Sequence, residues 1–110
     1  MKNIFYTLTI ITFIILTNSC AKPLEACFTY SPTTITITTV ITFNASCSQN
    51  ASSFIWHFGD NTTDTTSYSP AVTHKYSTAG TYTVILNVER EDGMSLKKGN
   101  PQTQQTITVQ

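Results

Sequence analysis

Strict alternation is the strongest constraint on what this chain can fold into. In GTYTVILNVER, residues 80–90, Tyr82, Val84, Leu86 and Val88 fall on one face, while Thr83, Asn87 and Glu89 fall on the other with Ile85. Successive side chains point to opposite faces of a strand, whereas a helix repeats its apolar positions every three or four residues. The same period recurs in Ile41, Phe43 and Ala45, in Phe54, Trp56 and Phe58, and in Ile107 and Val109. From Cys27 onward the chain is rich in Thr, Ser, Val, Ile and aromatics, which suit a pleated, half-buried surface and disfavour helix. Turn signals punctuate these runs at Ser31-Pro32, Gly59-Asp60-Asn61, Ser69-Pro70, Ala79-Gly80, Glu91-Asp92-Gly93 and Gly99-Asn100-Pro101. Short strands at this spacing predict an all-β fold, two antiparallel sheets closed over Trp56.

The first 19 residues carry a different signal. Lys2 is followed by NIFYTLTIITFIIL, residues 3–16, a basic start and an apolar run with the proportions of a secretory signal peptide. A spanning helix would want about 20 apolar residues, so a retained anchor is the weaker reading. Leu16-Thr17-Asn18-Ser19-Cys20 resembles a bacterial lipobox, in which a small residue precedes the Cys that receives a diacylglyceryl group and, when processing is complete, a further acyl chain such as palmitate. Thr17 stands where that pattern wants Leu. The resemblance implies lipidation of Cys20 and an exported, lipid-anchored protein of the bacterial cell envelope. Ordinary cleavage nearby, leaving Cys20 as a thiol, is the alternative. The chain then divides into a signal peptide over 1–19, a short tether over 20–25 and one domain over 26–110.

Cysteine arithmetic agrees with lipidation. The chain has three Cys, and an exported protein with one left over needs a reason for it. If Cys20 takes lipid, Cys27 and Cys47 remain as one pair in a compartment where disulfides persist. Two separate thiols are the alternative. Loss of residues 1–19 removes Lys2 and leaves five Lys or Arg against six Asp or Glu. With no basic patch and no basic-aromatic interleaving, nucleic acid is excluded as an expected partner.

WHFGDN, residues 56–61, looks at first like chemistry, with an aromatic, a His, a Gly and an Asp together. The plain account is a strand running into a tight turn. Gly59 and Asn61 tolerate positive φ, and the Asp60 carboxylate accepts backbone N–H groups in the turn. A catalytic Asp would need a base or nucleophile within reach, and the sequence nominates none. His57 and His74 with Asp60 and Asp64 have no recognised ligand spacing, so no metal and no other cofactor is expected. His74, two residues before an inward Tyr76, reads as hydrogen-bonded within the sandwich.

Trp56, Phe58, Gly59 and Asp60, then His74 and Tyr76, then Gly80, Tyr82, Val84, Leu86 and Val88, form three ordered blocks. Together they resemble the PKD domain family, named from polycystic kidney disease protein, over about residues 26 to 109. The resemblance implies an immunoglobulin-like β-sandwich of about seven strands, in which these residues are structural. Asn61 replaces the family's usual second Gly, and His57 replaces a commonly acidic residue. Tyr82 fits a tyrosine corner.

Asp64-Thr65-Thr66 resembles a three-residue O-glycosylation site, with Thr65 as acceptor in an expected loop. Three Asn-x-Ser/Thr triplets begin at Asn44, Asn50 and Asn61, and such matches arise by chance in a chain this rich in Ser and Thr. No phosphate loop, nucleophile elbow or carboxylate pair points to catalysis. The expectation is a non-catalytic interaction module, held to the membrane by its lipid anchor and binding a protein or a polysaccharide. The alternative is a carbohydrate-binding or accessory subunit of an extracellular enzyme or adhesin system.

Overall fold

The computed structural model describes residues 23–91 and 101–110, and none of the described residues is helical. Seven strands follow one another: β1 (Thr29–Ser31), β2 (Ile41–Asn44), β3 (Ser53–His57), β4 (Thr65–Ser67), β5 (Ala71–His74), β6 (Gly80–Glu89) and β7 (Gln102–Val109). They form two antiparallel sheets, ordered β1-β2-β5 and β4-β3-β6-β7. This is the immunoglobulin-like β-sandwich expected from the alternation and the motif blocks. The register places Trp56 opposite Leu86 and Phe54 opposite Val88, so the inward residues of β3 and β6 share one side of their sheet.

The residues assigned to an inward face by period two are buried, from Ile41, Phe43 and Ala45 through Phe54, Trp56 and Phe58 to Val84, Leu86, Val88, Ile107 and Val109, except Tyr82, which is partly buried and packs against the core. Around Trp56, Phe28 packs edge-on at 5.2 Å, Phe43 tilted at 5.8 Å and Phe58 nearly parallel at 6.4 Å between centroids. Such geometry favours the ring quadrupoles beyond the gain from burial. Trp56 Nε1 is buried and finds no hydrogen-bond partner among the described residues. That costs about 1–3 kcal/mol, which the indole's own burial offsets.

Several features are additions to the sequence reading. Phe28 and Ile35 belong to the core, although neither lies in an alternating run. Ile35 forms a parallel bridge with Val109, and Gln110 N donates to Ile35 O at 2.8 Å. The chain therefore contributes β1 to one sheet, passes the cis peptide Ser31–Pro32, and reaches the edge strand of the other. Thr65, placed in a loop by sequence reasoning, instead opens the edge strand β4 and is exposed there.

Cys27 and Cys47 are disulfide-bonded across a sequence separation of 20. Nearby, Leu24 packs against the core, and Glu25 and Gln49 exchange backbone hydrogen bonds of 3.1 and 2.9 Å. The fold thus draws in residues that the tether over 20–25 was expected to contain.

Candidate functional site

The pairings define two poles. β2 ends, β3 begins, β4 ends and β6 ends at one pole, where Ser53 faces Glu89 and Phe54 faces Ser67. The disulfide and the start of the described chain lie at this pole too, since Asn50 Nδ2 donates to Pro23 O at 2.8 Å. At the opposite pole β3 runs into its turn, β5 ends and β6 begins, with Gly80 facing Val109.

The three motif blocks converge at that second pole. Asp60 Oδ2 accepts a hydrogen bond from His74 Nε2 at 2.7 Å, joining the β3–β4 turn to the end of β5 in the other sheet. Its Oδ1 accepts from Thr62 N at 3.2 Å and from the Thr62 hydroxyl. The His74 ring stacks on Phe58, 3.9 Å between centroids and 4° between planes, and meets Tyr76 edge-on at 4.7 Å. Tyr76 is fully buried and its hydroxyl donates to Phe58 O at 2.8 Å, while its ring stacks on Tyr82 at 4.2 Å. Tyr82 in turn donates to Thr78 O at 2.6 Å, the tyrosine corner that its position suggested.

Both glycines of the motif have conformational reasons. Gly59 has φ +78°, and a Cβ there would stand 2.6 Å from Thr83 O. Gly80 has φ +155°, with the Tyr82 ring at an ordinary 3.8 Å from an added Cβ, so backbone angle rather than space selects glycine. Asn61 takes φ +66°, the left-handed value that Asn accepts in place of the usual Gly.

Electrostatics follow this packing. Burial alone would raise the Asp60 carboxyl, but its hydrogen bonds from Thr62 and His74 outweigh that and hold it below its ordinary value. Burial pushes the Tyr76 phenol well up, helped by the Asp60 charge and by Tyr82. A His bonded to an Asp is two-thirds of a hydrolytic triad. The third member is missing, because no hydroxyl or thiol among the described residues is hydrogen-bonded to His74. The cluster can clamp two sheets together, and that is the chemistry its geometry supports.

Asp60→Asn is accordingly expected to cost about 2 kcal/mol at neutral pH, the scale of a hydrogen bond to a charged group. The folded carboxyl is lowered relative to the unfolded chain, so its contribution is complete above about pH 4 and is lost as pH falls through the folded value. Urea unfolding of both proteins checks this. The gap between them should close between pH 4 and the acid limit, and a gap independent of pH would count against the assignment.

The four His and Asp side chains form two separate pairs. His57 Nδ1 lies 2.7 Å from Asp64 Oδ1 on the outer face of the larger sheet, where both are about half exposed. His74 and Asp60 are mostly buried at 15% and 13% side-chain exposure. No group of three His, Cys, Asp or Glu residues that could hold a metal occurs among the described residues. Cys20 lies outside those residues, and Val84 is simply core.

The profile of the PKD domain matches residues 21–109. The chain belongs to the PKD domain family. Solved structures agree. The PKD1 domain of the Vibrio cholerae metalloprotease PrtV is 28% identical with a TM-score of 0.59, covering 78% of this chain and 95% of that one. The PKD1 domain of Vibrio anguillarum Epp, at 20% identity and a TM-score of 0.56, covers 81% and 95% and shows the shared fold. A structure described as carbohydrate-binding modules of the β-sandwich superfamily is 33% identical with a TM-score of 0.68. It aligns with 80% of this PKD domain chain, which spans about a third of it, 34%. Among curated protein sequences none matches. PKD and related β-sandwich binding-module folds are typically non-catalytic.

Proposed function

We propose that this PKD domain is a non-catalytic binding module of a bacterial lipoprotein, exported and held at the cell envelope by acylated Cys20, with a protein or polysaccharide as its partner. The observation that carries the binding reading is how the motif is used. Its Asp60, His74 and Tyr76 groups join the two sheets and Tyr82 ties down the β5–β6 connection, which leaves surface recognition as the task of the fold. The likeness to carbohydrate-binding modules favours a polysaccharide over a protein.

The anchor has a geometric consequence. Two residues lie between Cys20 and Pro23, so the three steps from one Cα to the next span about 10 Å when fully extended. Pro23 is fastened to Asn50, so the disulfide pole would stand at the membrane and the motif pole would face away. A single acyl chain binds membranes reversibly, and two or more hold the domain there stably.

Intact-mass analysis of protein purified from membranes tests the anchor. The expected species is residues 20–110 plus acyl chains, with two thiols appearing only on reduction. An unlipidated mass ending the signal elsewhere would overturn the lipoprotein reading and leave the binding module as a soluble or otherwise anchored protein.

A further inference from the structure

Nine aromatic residues lie among those described, and Tyr68 alone is exposed, at 84%. It follows β4 at the disulfide pole and borders an open cleft of about 590 Å³ lined by Ser52, Ser53, Tyr68, Glu89, Arg90 and Glu91. The cleft floor is built rather than loose. Ser53 is 8% exposed and faces Glu89 across the β3–β6 ladder, with its hydroxyl 3.5 Å from Glu89 Oε2, and Ser52 N donates to Glu89 O at 2.8 Å.

We infer that this cleft is a saccharide site, in which the Tyr68 ring carries the apolar face of a hexopyranose and the surrounding polar groups read its hydroxyls. The inference rests on the binding reading above and deepens it by giving that reading a ligand class and a place. A pyranose presents C–H groups on its faces and hydroxyls around its rim. An aromatic face, with its negative quadrupole, suits the first. The rim needs acceptors and donors side by side, and carboxylates, a guanidinium and serine hydroxyls supply them in one small space. Two carboxylates against one guanidinium disfavour a phosphate-bearing ligand, and the volume lies within the usual range of small-ligand clefts. The pole also limits the source. With Cys20 acylated, the cleft stands beside the membrane, so the hexose is either part of a soluble glycan strand reaching the surface or the headgroup of a glycolipid.

Purified protein is titrated calorimetrically with chitohexaose and with cellohexaose, and in parallel floated with phosphatidylcholine vesicles carrying a monohexosyl diacylglycerol. Binding in either arm is expected, and the arm identifies the source. Tyr68→Ala should weaken it about tenfold or more, whereas Tyr68→Phe, which keeps the ring, should stay within about threefold of wild type. Emission from buried Trp56 confirms that both variants are folded. Binding unchanged in Tyr68→Ala overturns this site while leaving polysaccharide binding intact. Wild-type protein that binds neither probe overturns the saccharide assignment, and a protein partner recovered from the same envelope would still sustain the binding-module reading.

Discussion

Replacing Gly59 with Ala is expected to cost about 4 kcal/mol, most of the stability of a domain this size. Two penalties combine. An L residue at φ +78° pays roughly 1–2 kcal/mol for the left-handed backbone. The added Cβ would also meet Thr83 O at 2.6 Å, and that carbonyl cannot swing away cheaply, because Thr83 is paired with Thr106 inside the β6–β7 ladder. Relief must come from the turn itself. Phe58 and Asp60 flank Gly59, so moving it disturbs the stack on His74 and the Asp60–His74 hydrogen bond together. Asn61→Ala supplies the control. Asn61 has a similar φ but is exposed and already carries a Cβ, so only the backbone term applies, about 1 kcal/mol. Urea unfolding should separate the two variants by at least 2 kcal/mol. Equal losses would mean that the contact with Thr83 relaxes and that backbone angle alone selects glycine here.

What sequence reasoning could and could not read has a physical pattern. β2, β3 and the inner half of β6 were legible because one face is buried and the other wet, which writes period two into the residues themselves. β1 and β4, TYS and TTS, are three residues long and mostly polar, and they are strands only because β2 and β3 offer them a ladder. The first half of β7, QTQQ, lacks apolar alternation for a related reason. Gln105 sits opposite Val84 on the inward side, yet its amide donates to Phe28 O instead of leaving the position to an apolar residue. Ile35 belongs to the core through Val109, more than seventy residues away, a contact no local pattern encodes.

The site shows the same division. Asp60 as a turn organiser and His74 as a hydrogen-bonded group were both readable, one from turn chemistry and one from its neighbour Tyr76. That they bond to each other depends on the two sheets meeting at one pole. His57 and Asp64 were visible as neighbours in the chain. Their pairing across the β3–β4 turn follows from an antiparallel register that puts Trp56 opposite Thr65. Here a spacing rule for strands joined by a seven-residue loop would have found it. The Tyr68 cleft was less accessible still, because its walls come from the starts and ends of different strands.

Breaking the Cys27–Cys47 bridge is the second large effect, about 3 kcal/mol for a loop of this length in the chain-entropy account. For a domain of 60–100 residues that corresponds to a fall in melting temperature of roughly 12–24 °C. The folded segment has other fastenings. Ser48 Oγ accepts from Cys27 N at 2.9 Å and donates to Cys27 O at 2.8 Å, and Glu25 remains paired with Gln49. The loss should therefore come from a freer unfolded chain rather than a frayed native one. Two measurements distinguish these. In Cys27→Ser/Cys47→Ser the urea m-value should rise, because more surface is exposed on unfolding, while the amides of Glu25, Cys27 and Gln49 keep their protection from exchange. A fall in m together with lost protection at Glu25 would show instead that the bridge holds the N-terminal segment onto the core. The difference would matter if Cys20 carries the proposed anchor. In that case a pull from the membrane would enter at Pro23, and the covalent link from Cys27 to Cys47, just past the end of β2, would carry it without loading the short, three-residue pairing of β1.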